Sequence, residues 1–132
     1  MKNNDLGLLI LRISLGLLML LHGIAKLTHG IDFLGGMFQN LGLPSFFAYS
    51  VYIGEIVAPI LLIIGYRTRL VAIVFALTMI VAVAMAHASD LFTLSETGGW
   101  AVELQGLYFF GAVALFFTGG GKFAVSSTSK WD

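Results

Sequence analysis

The chain has 132 residues, of which 58% are hydrophobic and 11% are charged, with no cysteine and a formal net charge of zero. A soluble domain carries roughly 25% charged residues, so this composition predicts an integral membrane protein without a separate soluble catalytic domain. The neutral charge gives no reason to expect nucleic acid as a partner. The absence of cysteine excludes a disulfide, a thiol nucleophile and a Cys-ligated iron–sulfur cluster.

Long apolar runs recur along the whole sequence and predict an all-α fold, a single four-helix transmembrane bundle. A membrane-spanning helix needs about 20 mainly apolar residues. The expected spans cover residues 6–27, 46–65, 70–88 and 100–118. These spans account for most of the chain, so we expect one domain over residues 1–132.

The first span carries three ionisable residues, Arg12, His22 and Lys26. At about 100° per residue, all three share one side of a helix. Such groups cost ~2.5–3.5 kcal/mol each inside a membrane and usually face partners or a wet cavity. Arg12 would interrupt the apolar core of a signal peptide and no small-x-small cleavage site follows, so we expect a retained helix. The other spans must then supply partners for these side chains.

The next two segments are an amphipathic stretch and the second span. Residues 28–44 are too short and polar to cross a membrane, and predict a short interfacial helix. The second span has one carboxylate, Glu55, near its middle, with Tyr52 and Pro59 on the same face. Because Pro59 removes a backbone hydrogen bond, we expect a kink one turn past Glu55. The kink has either a packing or a functional role.

The third span is a run of aliphatic residues that ends with His87, and the fourth begins with Trp100 and Glu103. Small residues along the third span suit close helix packing in lipid. The last residues are polar apart from Trp131, so we expect a tail that is disordered or anchored at the membrane interface by this ring.

Basic residues in the short loops predict the orientation. They lie at one side of the expected bundle, and the opposite loops carry mainly acidic residues, so both termini are expected in the cytoplasm. Counting ~1.5 Å per residue, Arg12 comes within reach of Glu55. We therefore predict an Arg12–Glu55 ion pair, and a separate outer cluster that contains His22, Lys26, His87 and Glu103.

Each of these groups has a structural and a functional interpretation. The Arg12–Glu55 pair either fixes helix register or leaves Glu55 as a proton carrier or ligand partner. Lys26 either extends to the membrane surface or binds a ligand. The two histidines come from separate helices without an ExxH or HxxxH pair, so we predict no metal site.

The ordered motifs of the chain resemble the DoxX family of small four-helix integral membrane proteins. The resemblance runs over nearly the whole chain and is carried by LxLRISLGLLMLLHGIAKL, GEIVAPILLIIGYRTR, His87 and ELQGLYFFGAVALFFTGGGKFAVS. One departure is Gly120, which stands where the family usually has proline. The resemblance implies a location in the bacterial cytoplasmic (inner) membrane. It also implies a link to a quinone-dependent oxidoreductase, such as a thiosulfate:quinone oxidoreductase, or to an oxidoreductase complex that handles thiols and oxidative stress.

The leading functional hypothesis is therefore a quinone-linked oxidoreductase subunit. His22, Lys26, Glu55 and Glu103 would supply hydrogen bonds and protons to a quinone. A flat aromatic pocket for its ring would come from four further residues, Tyr52, Trp100, Tyr108 and Phe110. The chain has no intrinsic redox cofactor in this hypothesis, so a redox partner protein would deliver the electrons.

Two alternatives stay open. One is a solute- or lipid-binding or transport module, which four short helices make less favourable because inverted-repeat transporters are larger. The other is a scaffold that assembles partner proteins in the lipid. The sequence does not decide whether the chain is an enzyme, nor its oligomeric state.

Overall fold

The computed structural model of the chain describes residues 3–30, 32–40, 42–44, 49–86 and 88–132. Regular structure in these ranges is helical, apart from an isolated antiparallel bridge between Leu94 and Trp100. The helices, numbered in chain order, are α1 (Asn4–His29), α2 (Asp32–Asn40), α3 (Ser50–Ile64), α4 (Thr68–Ala86) and α5 (Glu103–Thr118). A 3₁₀ turn, Ala88–Asp90, begins the connector from α4 to α5.

The four longer helices, α1, α3, α4 and α5, pack side by side in alternating directions. Gly16 of α1 lies against Pro59, and Gly23, two turns later, lies against Glu55, so α3 is antiparallel to α1. Between α4 and α5, the Phe75 and Tyr108 rings are 5.9 Å apart. We call the end that holds the start of α1 and residues 119–132 the basic end. The opposite end, with α2 and residues 88–102, is the connector end.

The core lies between α3, α4 and α5, with one side of α1 against it. Phe75, Leu62 and Leu115 are fully buried, and Ala72 and Ala112 let α4 and α5 approach closely. Many large apolar side chains instead point outward, among them Ile10, Leu21, Leu107 and Phe117. An apolar exterior of this extent is typical of a surface that contacts something other than water.

Two helices in the described part of the chain are long and apolar enough to cross a membrane, Asn4–His29 and Thr68–Met85. The other two, Ser50–Ile64 and Glu103–Thr118, are apolar but shorter. The short helix expected after the first span is confirmed as α2. It ends at Asn40, and Gly42 shortly after it has a positive φ of 81°.

Helix α3 is irregular around its carboxylate. Its first turn, Ser50–Tyr52, is α-helical, the middle, Ile53–Val57, is π-helical, and the α-helix resumes over Ala58–Ile64. Pro59 has no N–H to donate to the Glu55 carbonyl, which removes one α-helical bond here. The expected disruption thus contains Glu55 itself and does not lie one turn beyond it. Such π-helical turns are frequent at functional sites.

Residues 119–132 fold over the basic end, so the expectation of a disordered tail is wrong. The alternative, anchoring at the membrane interface by Trp131, stays a prediction. The Val125 N–H donates to the Ile64 carbonyl at 3.1 Å, and the Arg69 N–H donates to the Trp131 carbonyl at 2.8 Å. Both partners lie at helix ends, where backbone groups lack bonds within the helix. The tail therefore satisfies the ends of α3 and α4.

Candidate functional site

The carboxylate of Glu55 pairs with Lys26. The Lys26 ammonium donates to both carboxylate oxygens, at 2.6 and 2.8 Å. The Glu55 side chain is 9% exposed and the Lys26 side chain 27% exposed. The predicted Arg12–Glu55 ion pair is wrong, and Lys26 belongs with Glu55 instead of a separate outer cluster.

Close packing of α1 on α3 selects Lys26 over Arg12 as the partner. A Cβ atom at Gly23 would overlap the Glu55 carbonyl oxygen, so only glycine permits this approach. Lys26 comes three residues later, on the same face and one turn along the helix. Arg12 comes eleven residues earlier, about 16 Å along the axis. That distance exceeds the reach of an arginine side chain.

Arg12 is fully buried at the basic end. Its Nη2 donates to the carbonyl of Phe123, and its guanidinium lies against Gly65, where a Cβ would overlap Nη1. Its Nε and Nη1 have no hydrogen-bond partner among the described residues. Gly65 caps the C-terminus of α3, and a helix C-terminus carries about half a negative charge. The fold thus stabilises the cation with a carbonyl and a helix end.

A cavity of about 590 Å³ lies beside the Lys26–Glu55 pair, and we call it the polar cavity. All four longer helices line it, and Phe38 of α2 closes part of it. Its volume lies within the ~300–1,000 Å³ range of small-molecule sites. The walls are mainly aliphatic, and the polar groups are few and close to the ion pair. This combination suits a largely apolar ligand with a small polar part.

The polar groups of the cavity include His22, Gln105 and Tyr108. Tyr108 is only 5% exposed, and its ring meets the His22 ring edge-on at 6.4 Å and 89°. Thr78 also borders the cavity, although its hydroxyl already donates to the Val74 carbonyl at 2.8 Å. The arrangement places a cation, a carboxylate, an imidazole and a phenol around one space.

Sequence reasoning did not assign Gln105 and Thr78 to the site. It placed Tyr108 in an aromatic pocket for a quinone ring, without a hydrogen-bonding role. Gln105 and Tyr108 are three residues apart, a spacing that places them on one helix face. Thr78 interrupts an otherwise aliphatic run. Both signals were present in the sequence.

Other predicted site residues lie outside the polar cavity. Trp100 donates its indole N–H to the Leu91 carbonyl at 2.6 Å and fixes the connector. Glu103 is exposed, with its carboxylate over Gly99. Tyr52 does not line the cavity but packs near Phe38, which does.

His87 lies outside the described residues. Within the described ranges, no three His, Cys, Asp or Glu side chains are grouped so that they could hold a metal ion.

Comparison with known proteins gives the family. The family model described as DoxX matches residues 7–88, which is more than half of the chain. The chain belongs to the DoxX family. A relative from Bacillus subtilis (strain 168), named "Putative oxidoreductase CatD", is 37% identical over 82 residues. That alignment covers 62% of this chain and 60% of CatD, less than two thirds of the relative's length. No solved structure matches the chain significantly.

The region matched by the DoxX model contains only part of the candidate site. It includes α1, α3 and α4, and therefore His22, Lys26 and Glu55. Helix α5, with Gln105 and Tyr108, lies beyond the matched region. Membership of the DoxX family, together with the long apolar helices, identifies the chain as a membrane protein.

Proposed function

We propose that this DoxX protein is a membrane subunit of a quinone-linked oxidoreductase and that it binds the quinone ring in the polar cavity. The observation that carries the proposal is the Lys26–Glu55 ion pair beside Tyr108 in a mainly apolar cavity. The descriptive name of CatD, a relative at 37% identity, supports an association with oxidoreductases.

The chemistry of a quinone suits these side chains. Its two carbonyl oxygens accept hydrogen bonds, which the Lys26 ammonium, the Tyr108 hydroxyl and His22 donate. Reduction to the quinol takes up two electrons and two protons. The protons pass through His22 or the Lys26–Glu55 pair, which are positioned groups of the kind that general acid catalysis requires. The electrons come from a redox partner protein.

In this proposal α1, α3, α4 and α5 all cross the lipid as a four-helix bundle. Helix α5 has 16 residues, about 24 Å of rise, against ~30 Å for the hydrocarbon core of a bilayer. Helix α3 is of similar length. Flanking residues and local thinning of the bilayer make up the difference. The basic end faces the cytoplasm and the polar cavity lies toward the outer half of a bacterial inner membrane.

Close packing at the basic end favours a binding role over transport. Transport of a solute needs a route to both membrane faces. Arg12 is fully buried there, and Gly65, Thr68 and Gly120 pack closely around it under the tail. We therefore propose a site that opens toward lipid, where exposed Ile53 and the α4 side chains beside it form its rim.

Titration of the purified protein with a quinone that has no tail, 2,3-dimethoxy-5-methyl-1,4-benzoquinone, tests the proposal. Tyr108→Phe keeps the ring packing and removes one donor, so we expect affinity to fall about fivefold. Glu55→Gln should weaken binding more, because it frees Lys26 from its fixed position. Glu96→Gln changes an exposed connector carboxylate and serves as the matched control. Equal affinity in all four proteins, or no binding by the wild type, would refute the proposal.

A further inference from the structure

A second cavity lies on the other side of the α4–α5 contact, and we call it the apolar cavity. Its volume is about 440 Å³. Ile80 and Ala84 of α4, Phe110 of α5, and Leu91 and Trp100 of the connector line it. The proposed ring site leaves this cavity without a role.

The apolar cavity offers almost nothing to a polar ligand. Trp100 could donate a hydrogen bond, but its N–H is already bonded to the Leu91 carbonyl at 2.6 Å. Gln105 is the other polar side chain among its described lining residues, and it lies at the border with the polar cavity. The walls therefore suit a hydrocarbon chain.

Met79 and Gln105 line both cavities. Toward the basic end, the Phe75 and Tyr108 rings pack against each other between α4 and α5. Met79 of α4 and Gln105 of α5 therefore form a wall that the two cavities share. Methionine is unbranched and flexible, so it can move aside for a chain. A movement of Met79 would therefore join the two cavities, with most of the polar groups on the side of the ion pair.

We propose that the apolar cavity holds the isoprenoid tail of the quinone whose ring lies in the polar cavity, and that the tail passes between Met79 and Gln105. This inference rests on the proposed quinone site. It assigns the ligand class as a ring with a long hydrocarbon tail, and assigns Ala84 and Leu91 to recognition of the tail.

The test compares two quinones with the same ring, one without a tail and one with two isoprene units, by calorimetry in matched detergent micelles. Ala84→Phe fills the apolar cavity and should lower affinity for the tailed quinone about tenfold, with affinity for the tail-free quinone unchanged. Ala114→Phe introduces the same side chain at an exposed position of α5 outside both cavities, and should change neither. Leu91→Trp fills the cavity from the connector and provides a second variant that leaves α4 packing intact.

Three results would contradict the inference. If the tail-free quinone binds but neither filling variant changes affinity for the tailed quinone, the apolar cavity does not hold the tail and the ring site stands. If the filling variants remove co-purified phospholipid without affecting the tailed quinone, the cavity holds a lipid acyl chain. If neither quinone binds the wild type, the proposed function fails along with the inference.

Discussion

Removal of one partner of the Lys26–Glu55 pair should destabilise the fold strongly, because it leaves a charge in an apolar setting. Breaking a buried pair on one side typically costs 3–5 kcal/mol. The Glu55 side chain is 9% exposed, but the Lys26 side chain keeps 27% of its surface exposed. We therefore place the loss at the lower end, about 3 kcal/mol for Glu55→Gln and a similar value for Lys26→Met.

A double-mutant cycle separates this pair energy from other effects. The double variant Lys26→Met/Glu55→Gln has no unpaired charge, so it should be no less stable than either single variant. The coupling energy is then at least about 3 kcal/mol. Unfolding in mixed micelles, followed by circular dichroism, measures all four proteins, with Glu96→Gln as the control for loss of an exposed carboxylate. Additive losses, with coupling below about 0.5 kcal/mol, would refute the reasoning.

Three further predictions concern helix packing and the basic end. Gly23→Ala should cost about 1–3 kcal/mol, because its Cβ overlaps the Glu55 carbonyl, whereas Gly7→Ala on the same helix meets open space and should be neutral. Thermal unfolding compares the two, and equal midpoints would contradict the packing. Arg12→Met should speed hydrogen exchange in the tail and leave quinone affinity unchanged; faster exchange across all helices would argue against a local role. The pKa of Asp132 lies below its usual range, chiefly through a hydrogen bond from Ser126. The stability that this carboxylate provides is therefore present above its usual pKa and lost as pH falls below about 4. Asp132→Asn should flatten the pH dependence of the melting temperature in this range, and an unchanged slope would contradict it.

The helix positions could be predicted from the sequence because apolar runs and glycine or proline boundaries are local signals. The expected spans at 6–27 and 70–88 overlap α1 and α4 with small differences at their ends. The cost of placing ionisable groups in an apolar setting also marked Glu55 and Lys26 as candidates. Their binding roles stay predictions.

The pairing of these charges could not be predicted because it depends on helix register. Depth counting from the expected ends of the spans brought Glu55 within reach of the Arg12 side chain. The register is set instead by Gly16 and Gly23, which allow α3 to approach α1 closely at Pro59 and Glu55. Two glycines seven residues apart lie on one helix face. The sequence gives no sign of which helix fills the space they leave.

The fold of the tail was missed for a related reason. Residues 119–132 have few apolar side chains, and their order comes from backbone hydrogen bonds to helix ends and from Arg12. Composition does not reveal bonds of this kind. The same applies to Tyr108, whose position beside His22 follows from the packing of α5 on α1.

Photolabelling with a quinone that carries an aryl azide on its ring tests the central claim most directly. After illumination and mass spectrometry, we expect adducts on side chains of the polar cavity, such as Met19, Lys26 and Tyr108, that excess unlabelled quinone suppresses. Adducts confined to outward-facing side chains such as Leu107 and Phe117, unaffected by the competitor, would contradict a quinone site beside the Lys26–Glu55 pair.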